Sequence, residues 1–107
     1  MGLLNVLYRN KQDKFDLMAQ TVFDEITNLA DVLDKKQGKM TVDERLKAEN
    51  AIVDFIRYYR TNRFALKDVL WCGQRTTMQF VLTAVYGFVN DVERSTGYRF
   101  TRLNEPR

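Results

Sequence analysis

Between Thr41 and Cys72 the chain has no glycine and no proline. Apolar side chains recur there at Ala48, Ile52, Phe55, Tyr59, Leu66 and Val69, so one stripe faces one partner surface. Read as a single helix, the stretch is about 45 Å long. A helix of that length needs long neighbours. The expected fold is therefore all-α: an antiparallel three-helix bundle with long helices and a short N-terminal helix or arm. Thr61-Asn62-Arg63 is the weak point, three middling helix formers with Asn62 on the apolar stripe. A break there would give a four-helix bundle; without one, the site would be a kink or Asn62 a buried polar residue that fixes register.

The flanking segments fit one domain over residues 1–107. In the expected arm, residues 1–9, Leu3 shares a face with Leu7 and Leu4 with Tyr8. Such an arm covers an open part of the core or packs on a second subunit. The first helix is expected from Asn10, an N-cap residue with Asp13 three positions on. Its stripe is Phe15, Met18, Ala19, Val22, Ile26, Leu29 and Leu33. Lys35 and Lys36 suit its last turn, and Gly38 a left-handed cap. Thr41 and Glu44 form a capping box that opens the long helix, and the short connection makes the two helices an antiparallel hairpin. Gly73 reads as the end of the second helix. The third runs from about Arg75 to Thr96, with Gly97 as its cap. The tail, 98–107, alternates aromatic and basic residues. Phe15, Val22, Ile26, Leu29, Ile52, Phe55, Leu82, Val85 and Val89 are the expected core.

Catalytic chemistry finds little support. The chain has no histidine, the commonest general base and metal ligand, and a single cysteine, Cys72. No glycine-rich phosphate loop is present. All-helical nucleotide pyrophosphatases hold Mg²⁺ with E-E-x-x-E and E-x-x-D patterns; Asp24-Glu25 and Asp31-Val32-Leu33-Asp34 complete neither. Trp71-Cys72-Gly73 resembles the W-x-G turn of small secreted helical hairpins over three residues, away from the expected hairpin turn at 37–41. The expectation is a non-enzymatic protein without cofactor or metal. No apolar run reaches membrane-span length, no signal-peptide pattern opens the chain, and Val6 stands where myristoylation wants Ser or Thr. A cytoplasmic protein without membrane contact is expected.

Charge is unevenly distributed. Residues 1–50 carry eight basic and nine acidic side chains, whereas residues 51–107 carry nine basic, eight of them Arg, and five acidic. Arg57, Arg60, Arg63 and Lys67 step by three, three and four beside the apolar stripe, with Tyr58 among them and Arg75 beyond. Arginine's forked donors suit carboxylate and phosphate. These six residues are the candidate partner-binding surface. An acidic protein surface is the expected partner; nucleic acid or a phosphorylated ligand is the alternative. The long second helix, the apolar arm and the surplus aromatics Tyr8, Tyr58, Tyr86, Tyr98 and Phe100 predict a homodimer.

Overall fold

A computed structural model describes residues 3–35, 37 and 39–103, with side chains from Asn10 onward. In chain order come α1 (Leu3–Lys35), α2 (Val42–Asn62), a 3-10 turn (Arg63–Ala65), strands β1 (Val69–Trp71) and β2 (Gln74–Thr76), and α3 (Met78–Thr96). The described part is mostly helical, with one small sheet.

α1 has no break near Asn10. Residues 3–35 contain neither glycine nor proline, and an interior Asn costs only a few tenths of a kcal/mol, so Asn10 and Asp13 lie inside a helix about 50 Å long. This corrects the expected short N-terminal helix or arm. The arm's side-chain contacts lie outside the described residues.

α2 starts as expected. Glu44 N–H donates to Thr41 Oγ1 at 3.1 Å, and Thr41 N–H to Glu44 Oε1 at 2.8 Å. It runs antiparallel to α1: Lys11 near one end of α1 bonds Asn62, while Glu25 and Val32 share a hollow with Glu44 and Lys47. α3 runs alongside α1 in the same direction, with Met78 near Phe15 and Val92 near Leu33.

The three helices share one core. Phe15 stacks on Phe55 with ring centres 4.9 Å apart. Val22 and Leu29 of α1, Ile52 of α2, and Val81, Val85 and Val89 of α3 are buried around them. Ile26 and Leu82, expected in the core, are half-buried at its margin.

The expected long helix stops at Asn62. Asn62 Nδ2 donates to the Tyr58 carbonyl at 3.1 Å while its Oδ1 accepts from Lys11 at 2.7 Å, so its side chain closes the helix end instead of fixing register inside it. Among the described residues no fourth α-helix is present. Residues 69–76 form an antiparallel hairpin pairing Val69 with Thr76, Leu70 with Arg75 and Trp71 with Gln74. Its two turn residues, Cys72 and Gly73, have φ of 54° and 80°, the paired positive values of a tight primed turn. Gly73 therefore turns a hairpin and caps no helix. Val69 keeps its place in the core from a strand.

α1 seats this hairpin with a second row of side chains, Gln12, Asp16 and Phe23, spaced four and seven apart. Gln12 donates to Asp68 O at 2.9 Å and accepts from Lys67 N–H at 3.0 Å. Asp16 accepts from Leu70 N–H at 3.2 Å, and Phe23 meets Trp71 edge to face.

The tail docks as far as it is described. Gly97 takes the left-handed cap (φ 79°), and Phe100 is fully buried. Glu93 accepts from Phe100 N–H, and Glu49, a fully buried carboxylate of α2, accepts from Arg102 N–H, both at 2.8 Å. Arg45 bridges Glu49 and the carbonyl of Arg99. Among the described residues no helix is long and apolar enough to cross a membrane.

Candidate functional site

The six residues singled out from the sequence do not form one straight ridge. Three residues of helix turn through about 300°, so each step of three falls about 60° short of the previous side chain. Arg57 and Arg60, on the last turns of α2, and Arg63, in the 3-10 turn, therefore wrap around the end of the helix as a belt. At one end of the belt Arg57 borders a groove of about 240 Å³ shared with Lys14, Met18, Tyr58 and Thr61. At the other end Arg63 covers the Tyr59 ring at 5.8 Å, and Tyr59 borders a larger cleft of about 460 Å³ with Lys67, Arg75 and Met78.

Arg57, Arg60, Arg63 and Lys67 are all exposed, and among the described residues none has a carboxylate at ion-pair distance. Arg75 differs. Its guanidinium donates to Asp16 Oδ2 at 2.8 Å and to Asp68 Oδ1 at 3.1 Å. The Asp16 hydrogen bond above all raises its pKa, holding the charge firmly on a group that was already cationic. Arg75 thus belongs to the hairpin seat. Arg75 also lines the larger cleft.

Tyr58 is half-buried. It stacks on Phe15, its hydroxyl donates to the carbonyl of Lys11 at 3.3 Å, and burial raises its pKa above 10. Lys14 sits over its ring at 5.3 Å. Lys14 and Lys11 are the basic residues that the sequence reading omitted. The antiparallel pairing of α1 with α2 carried the signal, because it sets residues near 14 against residues near 58. Asp16, which neutralises Arg75, was missed because it follows Phe15 directly and looks like an ordinary solvated acid.

Cys72 is exposed at the hairpin tip, and among the described residues no three acidic or cysteine side chains converge to hold a metal. Compared with protein-family models, with curated proteins and with solved structures, the chain has no match in any of the three, and its site is read from its own residues.

Proposed function

We propose that this chain is a small, non-enzymatic interaction protein of the cytoplasm that meets an acidic surface of another protein through the basic belt. Its architecture is read as an antiparallel three-helix bundle with a β-hairpin between the second and third helices. The observation that carries the reading is the exposure of Arg57, Arg60, Arg63 and Lys67 without ion-pair partners among the described residues. Tyr58 belongs to the surface as the half-buried edge of the belt; Arg75 contributes from its ion pairs. Arginine's planar fork is pre-organised, so less side-chain freedom is lost per hydrogen bond made to a carboxylate.

The test compares wild type with the double variant Arg60→Glu, Lys67→Glu for binding to poly-L-glutamate and to polyuridylate at low and physiological salt. Circular dichroism checks that the fold survives, as it should for solvated side chains. The expected result is a loss of polyglutamate binding of roughly tenfold or more. Equal binding by the double variant would reduce the belt to a solvated flank. Tighter, steeply salt-dependent binding to polyuridylate would favour nucleic acid instead.

Self-association is a second reading, favoured by Leu17 and Phe80, which are 67% and 59% exposed on the outer faces of α1 and α3. A homodimer is expected by light scattering at tens of micromolar; a monomeric mass would refute it.

A further inference from the structure

The smaller groove has the make-up of a side-chain receptor. It lies between α1 and α2, lined by half-buried Met18 and Tyr58, with exposed Lys14, Arg57 and Thr61 around them. At about 240 Å³ it has room for one large apolar side chain. Arg60 stands one turn along α2 from Arg57, about 4.5 Å in rise, which matches the spacing of side chains on successive turns of a second helix. We infer that this groove receives an apolar side chain of an acidic amphipathic helix from another protein, with carboxylates on successive turns of that helix meeting Lys14, Arg57 and Arg60. The inference rests on the proposed function and names the partner's chemistry.

The alternative occupant of a basic surface with aromatics is single-stranded nucleic acid, which stacks its bases on open ring faces. Those faces are occupied here. Lys14 covers Tyr58, Arg63 covers Tyr59, and both rings also stack on Phe15. Asp54, on the groove's own rim beside Arg57, opposes a continuous line of phosphates. A helix with discrete carboxylates can leave a gap opposite Asp54, and a polyphosphate chain cannot. An apolar anchor ringed by charge pairs is also the arrangement that gives helix-in-groove complexes their affinity and register.

The experiment uses the whole chain and a fluorescein-labelled, helix-forming peptide with glutamates on successive turns around one central leucine. Anisotropy reads binding to that peptide, to its Leu→Ser counterpart and to a labelled single-stranded RNA of similar length. Two variants divide the site: Thr61→Trp fills the groove without changing charge, and Arg57→Glu with Arg60→Glu reverses the belt. Circular dichroism confirms that each is folded. Saturable micromolar binding of the leucine peptide is expected, weakened about tenfold or more by Leu→Ser, by Thr61→Trp and by the charge reversal. If the charge reversal weakens binding while Thr61→Trp and Leu→Ser do not, the groove is overturned and the belt stands. If wild type binds the RNA and ignores the peptide, both are overturned.

Discussion

Arginines at the two ends of α2 have opposite fates. Near its start, Arg45 lies against the buried Glu49 and the Arg99 carbonyl, and Arg102 reaches back to Asn50. Near its end, Arg57, Arg60 and Arg63 stand in solvent. Arg75 falls between: it is half exposed and held by Asp16 and Asp68. Residue type does not separate these cases. What separates them is a carboxylate on a neighbouring turn or element, set one helical step off the apolar stripe. Glu49 and Asp16 each fill that place and each fastens a later segment of the chain. Asp54 stands one turn before Arg57, yet among the described residues no carboxylate lies at ion-pair distance from Arg57 or Arg60, and those cations remain available to a partner.

The comparison can be broken at its interior end first. Glu49→Ala removes the charge facing Arg45 and the acceptor of Arg102 N–H, and should cost about 3–5 kcal/mol in urea unfolding. A loss below about 1 kcal/mol would show that the tail is not fastened there. At the rim, Asp16→Ala strands the Leu70 amide and loosens Arg75, and should cost about 1–3 kcal/mol. If it costs as much as Glu49→Ala, solvent at the hairpin seat has been overestimated. On the solvent side, Arg57→Glu with Arg60→Glu should leave the urea midpoint in place; a clear shift would mean that the belt is part of the fold. The smallest effect belongs to Tyr58. Burial raises its pKa, so the unfolded chain ionises first, near pH 10, and the folded chain later. The contribution of this group to stability is complete below pH 10 and is lost as pH rises through the folded value. A phenolate absorbance titration of wild type against Tyr58→Phe should show one tyrosine ionising late; no late component would place the ring in free solvent.

Much of this was legible in the residues. Phe15, Ala19, Val22 and Leu29 of the α1 stripe and the valines of α3 pack as their spacing predicts, because helical period is a local property. The Thr41–Glu44 box and the Gly97 cap were equally readable, each being a short-range hydrogen-bond pattern. The hairpin was not read, for two reasons. Leu66 and Val69 continue the three-and-four spacing past Asn62, so a strand residue that reaches the core looks like one more helical position. The turn dipeptide is also Cys-Gly, without the Asn or Asp that usually marks a primed turn. The groove beside Tyr58 depends on two residues far apart in sequence, and only the antiparallel pairing brings Lys14 to it.

The fastening of the tail also sets an order of events during synthesis. Glu49 and the amide of Arg102 are 53 positions apart, and Asp16 and Arg75 are 59 apart. While the chain is being made, α1 and α2 can meet early, but the carboxylate of Glu49 then has only Arg45 beside it. A ribosome-bound chain that stops short of Arg102 holds a charge at the edge of an unfinished core. Until residues 98–103 emerge that edge lies open to water, and Phe100 then closes it.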